Sequence, residues 1–200
     1  MNIGTGNPML FTNETCHKWA NKGPNVSNPG SSQLLADTYS LELSPNDGET
    51  DDRLFARATN LLFQYRIYPP HILVSKLCKP DGKMAAGTTI IQRIMLGPVW
   101  LEAAVRVTDV TENKSAESGR ASFTYTTLDG HPERGTACFA IEHESHRHGV
   151  VFSIETKSEP GHWMISALRL LTTQVQKRSN RAALTYFKSS LCNKRLSSAW

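Results

Sequence analysis

An α+β fold, a seven-stranded antiparallel sheet curled around a long C-terminal helix, is what this sequence predicts, and three observations carry it. Between His71 and Lys157 the chain is a succession of runs of strand-forming residues divided by Gly, Pro and Asp, the pattern of neighbouring antiparallel strands. One helical stripe precedes that block and a longer one follows it. The second stripe needs an apolar partner, and the concave face of the sheet is the surface large enough to supply one.

Residues 1 to 33 are rich in Asn, Gly, Pro and Ser, with Asn-Pro and Gly-Pro steps that break regular elements, so an irregular arm is expected. Leu34 to Leu43 reads as the first strand and stops at Ser44-Pro45-Asn46-Asp47-Gly48. Thr50 is placed to cap a helix whose first turn carries Asp51 and Asp52, and which runs to about Arg66. Its stripe is Leu54, Phe55, Ala58, Leu61, Leu62 and Tyr65. Tyr68-Pro69-Pro70 ends it, and strands follow at His71 to Cys78, Gly87 to Leu96, Val99 to Thr111, Arg120 to Leu128, Arg134 to Glu144 and His148 to Lys157. In the Arg120 strand, Ala121, Phe123, Tyr125 and Thr127 share one face. Ser158-Glu159-Pro160 is read as the start of the last helix, with Met164, Leu168, Leu171, Val175, Ala182 and Tyr186 as its stripe. The domain expected is 34–190, with a tail at 191–200.

Two hundred residues, 39% of them hydrophobic, suffice for one domain with a full core. No run reaches the roughly 18 apolar residues of a membrane span, and the first residues lack a basic start followed by an apolar core. Cys16, Cys78, Cys138 and Cys192 are far apart and form no CxxC pair, so neither a zinc ribbon nor a disulfide framework is expected. A soluble protein in reduced, cytoplasmic surroundings is the expectation. The net charge of +4 is uneven: from Gly161 onward there are seven basic residues and no Asp or Glu. Such a helix could meet an anionic membrane surface, whereas nucleic acid is disfavoured because no aromatic platform accompanies the charges.

The most distinctive wording is Tyr125 to Phe139, where Asp129-Gly130-His131-Pro132 is strong turn chemistry between two strands. It sets His131 and Glu133 two positions apart at the tip of a hairpin, a pair of the kind that proton transfer or ligand anchoring uses. A metal at His143-Glu144-Ser145-His146-Arg147-His148 is not expected, since the HExxH spacing would need His where Arg147 stands. No phosphate loop, nucleophile motif or cofactor fingerprint is present, so no cofactor is predicted.

The run Tyr125 to Gly135, the upstream Arg106-Val107 and the later Ser158-Glu159-Pro160 resemble uncharacterised protein family zero-five-four-eight, the DUF1990 domain, over about Leu10 to Phe187. The order of elements is similar to the helix-grip arrangement of the START and pollen-allergen superfamily, which implies a cavity between sheet and helix. A hot-dog fold is the alternative, but its helix comes early and would leave the C-terminal one unexplained. Two positions depart from the family wording: Thr126 stands where Gly is usual, and Thr136-Ala137 replaces a pair that is usually acidic.

Two functions are then open. In the first, the cavity binds a hydrophobic or amphipathic small molecule of lipid or isoprenoid type. Phe123, Val105, Phe139, Ile141, Phe152 and Leu168 line or fill it, Thr127 contributes to the site, and Tyr125, Arg106 and His131 hold a polar head. In the second, the protein is an isomerase, cyclase or hydrolase in which His131 and Glu133 act as acid and base and Tyr125 as proton donor.

Overall fold

The computed structural model describes residues 2–25, 35–79, 82–115, 118–144, 149–160 and 169–192. In chain order these form β1 (Asn2–Gly4), α1 (Asn13–Ala20), β2 (Leu35–Leu43), α2 (Asp51–Phe63), β3 (Leu73–Leu77), β4 (Thr89–Leu96), β5 (Val99–Lys114), β6 (Ser118–Thr127), β7 (Glu133–Glu144), β8 (Val150–Pro160) and α3 (Arg169–Cys192). The strands make one antiparallel sheet in the order β2-β8-β7-β6-β5-β4-β3, with β1 added against β5. The seven expected strands are therefore present, and β1 is an eighth.

Short turns set this order. Gly97, at φ 69°, opens the two-residue link between paired Leu96 and Val99. In the long β5 the register with β6 shifts between Val107 and Asp109. The extra residue, Thr108, donates its hydroxyl to the Thr124 carbonyl at 3.2 Å, and a bulge at that point bends the strand and deepens the curl of the sheet.

Helix α2 starts where its sequence says it should: the Thr50 hydroxyl accepts from the Arg53 amide, with Asp51 and Asp52 at the positive end of the helix dipole. Leu54, Phe55, Ala58 and Leu62 are buried against the concave face of the sheet. The helix stops at Phe63 rather than Arg66, because Tyr65 takes a left-handed conformation at φ 57°. Phe123 of β6 stacks on Phe139 of β7 at 5.1 Å between ring centroids, and Phe152 of β8 stacks on Phe187 of α3 at 4.3 Å. That second pair fastens the C-terminal helix to the sheet.

The last helix differs from expectation in its start and in its buried face. Ser158-Glu159-Pro160 ends β8, pairing with Gly135, Arg134 and Glu133, and does not open a helix. A proline is tolerated there because the end of a strand can forgo one ladder N–H. Asn180, Ala183, Phe187 and Leu191 form the buried stripe of α3, while Ala182 and Tyr186 are half-buried. Met164 and Leu168 lie outside the described residues.

The N-terminal arm, expected to be irregular, adds β1 to the sheet beside β5 and lays α1 on the convex face. There Trp19, Ile91, Ala104 and Leu128 form a second apolar cluster. Cys16 and Cys78, 62 residues apart, form a disulfide that joins α1 to the chain just past β3, contrary to the expectation that no bridge would form. Spacing could not show it, because folding alone brings the two Cα atoms to 5.5 Å. Arg93 and Glu102, each 5% exposed, pair at 3.1 Å beneath the arm. The Arg93 guanidinium also donates to the Pro8 and Leu10 carbonyls and is sandwiched between the rings of Phe11 and Trp100. Among the described residues no helix is long and apolar enough to cross a membrane.

Candidate functional site

Between the concave face and α3 is a cavity of about 360 Å³. Its walls are largely apolar, from Ile72, Leu73, Ile94, Leu101 and Ala137, and its polar groups include Gln92, Tyr68, Tyr125, His131, Glu133 and Asn180. The Asp129-Gly130-His131-Pro132 turn closes one side of it. Gly130 supplies the positive φ of 96° and the His131 amide donates to the Leu128 carbonyl at 2.9 Å, so the predicted hairpin between β6 and β7 is the one that forms. Gly135, two residues past Glu133, permits a close crossing of strands: a Cβ there would lie 2.0 Å from the Lys157 carbonyl oxygen.

Of the turn's side chains Asp129 is exposed, whereas His131 and Pro132 are buried. His131 is 8% exposed. Its Nδ1 lies 3.0 Å from both the amide and the carbonyl of Glu133, and its Nε2 lies 3.4 Å from Gln92 Oε1. The Gln92 amide in turn donates to the Tyr65 hydroxyl at 2.6 Å, and the Tyr125 hydroxyl interacts with both Tyr65 and Gln92. A continuous polar chain thus runs from the turn to the end of α2. Tyr65 reaches it from a left-handed backbone that a tyrosine adopts only at a cost of about 1–3 kcal/mol, strain of a kind that gathers at functional sites.

Burial shapes the titration of the pair. It pulls the His131 imidazole down from 6.5 to about 4, against the opposing effect of the Glu133 carbonyl. It pushes the Glu133 carboxyl up from 4.5 to about 7. Burial likewise raises Tyr125 to about 12, and holds Tyr65 and Tyr68 well above 10.0. The histidine is therefore neutral at pH 7, and the glutamate is the group poised to change charge there. Sequence reasoning gave that part to His131, because an unperturbed imidazole titrates near ~6.5. The Glu133 carboxyl has no hydrogen-bond or ion-pair partner among the described residues and faces the cavity. Tyr68 donates to Asn180 Oδ1 at 3.3 Å; Asn180 Nδ2 is buried with no partner at hydrogen-bond distance, although the Asn180 side chain also interacts with the Tyr39 hydroxyl.

Of the residues expected at the site, Tyr125, Thr127, His131 and Glu133 do line the cavity. Phe123 and Phe139 do not: they are fully buried beneath it, facing the right side of the sheet but spent on each other. Arg106 is on the opposite face, where its guanidinium caps the C-terminus of α1 through the Trp19 and Ala20 carbonyls at 3.3 and 2.7 Å. Strand alternation carried that signal, since Arg106 sits between inward-facing Val105 and Val107. Leu168 is outside the described residues, as are 145–148 of the histidine-rich run. The described residues gather no group of three metal-ligating side chains. Tyr65, Tyr68, Gln92 and Asn180 were missed, being ordinary strand or helix letters in the sequence. Arg178, Arg181 and Lys188 of α3 are exposed.

The family model for Domain of unknown function (DUF1990) matches residues 27–186. The chain belongs to the DUF1990 family. Solved structures similar to this DUF1990 chain include the hypothetical protein jhp0584 from Helicobacter pylori, at 10% identity and a TM-score of 0.50, covering 93% of this chain and 97% of that one. Norcoclaurine synthase from Thalictrum flavum is similar at 13% identity and a TM-score of 0.50, covering 84% and 96%. At these identities the likeness is one of fold, the helix-grip arrangement. No curated protein shows significant similarity to the chain. Of the DUF1990 positions where this sequence departs from the family wording, Thr136 and Ala137 both line the cavity, while Thr126 is buried and pairs with Thr136 across the β6–β7 ladder.

Proposed function

We propose that this DUF1990 protein binds a small hydrophobic or amphipathic molecule in the cavity between the sheet and α3. The observation that supports it is a mostly apolar hollow with a few convergent polar groups at the turn, Glu133 and Asn180 among them, the composition of ligand sites in general. Its size narrows the ligand. At ~30 Å³ per non-hydrogen atom, 360 Å³ takes about a dozen such atoms, a short lipid-like or terpenoid-sized molecule rather than a whole phospholipid. With about 0.5–0.7 kcal/mol per atom, such a ligand binds with a Kd in the micromolar to tens-of-micromolar range. Titration of an environment-sensitive apolar dye, read by fluorescence, tests this. Saturable binding in the unaltered protein and its loss in Ala137→Phe, which fills the hollow, are the expected results; equal binding by both chains would place the dye elsewhere.

A second reading, a small-molecule enzyme of isomerase, cyclase or hydrolase type, draws support from Glu133 itself. A carboxyl with a pKa of about 7 that opens on a hollow is suited to take and return a proton, with Tyr125 beside it as donor. In that reading Glu133 and not His131 carries the proton, because both imidazole nitrogens are already engaged by the Glu133 amide and Gln92.

A further inference from the structure

The charges around the cavity say more about the ligand than its volume does. Among the described residues that line it there is one carboxyl, Glu133, and no Lys or Arg. The other titratable groups that face it are His131, which is neutral, and the Tyr68 and Tyr125 hydroxyls, both within the electrostatic reach of the Glu133 carboxylate. Glu133 is half-buried and its carboxyl has no hydrogen-bond or ion-pair partner among the described residues, so its ionised form has acceptor capacity that a donor on a ligand can fill. A fatty-acid carboxylate or a phosphate would meet one like charge and no cation among the described residues that line the hollow, and would lose its hydration with no return from them.

Resting on the binding role proposed above, we infer that the ligand's polar end is a protonated nitrogen, that of an aliphatic amine, held by the Glu133 carboxylate beside Tyr68 and Tyr125. The ammonium supplies the donors that the carboxylate lacks, and aromatic side chains next to it favour a cation over a neutral group. Occupation by a cation also draws the proton off Glu133, so binding at about pH 6 releases protons to the buffer while binding at about pH 8 releases few.

The test is calorimetric titration with three molecules of equal chain length: octylamine, octanol and octanoate. At about pH 8 octylamine is expected to bind at least ~10-fold more tightly than octanol, with octanoate weakest, since a hydrogen bond to a charged group contributes about 1.5–3 kcal/mol. Glu133→Gln removes the advantage of the amine and leaves octanol unchanged. In the unaltered protein the amine advantage grows from about pH 6 to about pH 8, a readout that does not depend on the variant folding. Equal affinity for amine and alcohol, or an amine preference that survives Glu133→Gln, overturns the assignment of a cationic ligand while the cavity remains a binding site. Failure of all three to bind overturns the cavity as a binding site and the cationic ligand with it.

Discussion

The two faces of the sheet treat charged groups differently. On the convex face charge is buried and answered: Glu102 receives Arg93 and the Trp19 indole, Arg93 also donates to the Pro8 and Leu10 carbonyls, and Arg106 caps α1. On the concave face, beside a cavity of about 360 Å³, the half-buried Glu133 carboxyl and the buried Asn180 Nδ2 have no hydrogen-bond partner among the described residues. Satisfied buried networks fix a structure, and unsatisfied ones cost stability unless something else completes them. The comparison teaches that the arm holds the sheet together from behind, while the other face keeps vacancies that a ligand can fill.

Arg93→Ala should break this contrast most severely. It leaves the buried Glu102 with only the Trp19 indole and the partly exposed Lys18 ammonium, and frees the arm at Pro8 and Leu10, so about 3 kcal/mol of unfolding free energy should be lost in urea titration. A loss below about 1 kcal/mol would mean that the convex network is ornamental.

A subtler effect is hidden by cancellation. Folded Glu133 keeps its proton up to about pH 7, whereas the unfolded carboxyl loses it near 4.5, so its contribution to stability falls as pH rises across that window. Folded His131 refuses a proton until about pH 4, whereas the unfolded ring gains one near 6.5, so its contribution falls as pH drops. In the unaltered protein these slopes oppose each other between 4.5 and 6.5. Single variants expose them: His131→Asn should lose up to ~3 kcal/mol as pH rises from 4.5 to 7, and Glu133→Gln a similar amount as pH falls from 6.5 to 4. Thermal melts across that range check both signs, and parallel profiles in the two variants would refute the assignment.

The smallest expected effect has the opposite direction. Asn180→Leu removes a 3%-exposed amide whose Nδ2 has no partner and should stabilise the protein by about 1 kcal/mol while weakening binding of a polar ligand. Destabilisation instead would show that the Tyr68 hydrogen bond to Asn180 outweighs the unpaired donor.

Much of the fold was legible because it rests on local chemistry. Thr50, the Asp129-Gly130 turn and the Leu54–Leu62 stripe each declare their element within a few residues, and strands joined by short turns leave little freedom of order. The site was legible where a turn fixes it, at His131 and Glu133, and illegible where it depends on depth. Phe123 and Phe139 obey the right alternation yet are buried beneath the cavity, and nothing in their letters distinguishes lining from filling. Ser158-Glu159-Pro160 misled because a serine followed by a proline suits the end of a strand as well as the start of a helix. The Cys16–Cys78 bridge was out of reach because it joins the arm to the far end of the sheet, a proximity that exists only after folding.

Strand β1 is three residues long, yet its position matters beyond its size. Pairing of β6 with β5 reaches Val105, and β1 takes over the next stretch of β5 at Trp100, Leu101 and Glu102. A short row of backbone amides and carbonyls that would otherwise stand open is thereby occupied by the same chain. Were β1 to peel away, that row would become a template for strand addition by another molecule, and oligomers zipped through their sheets would be the first sign of its release.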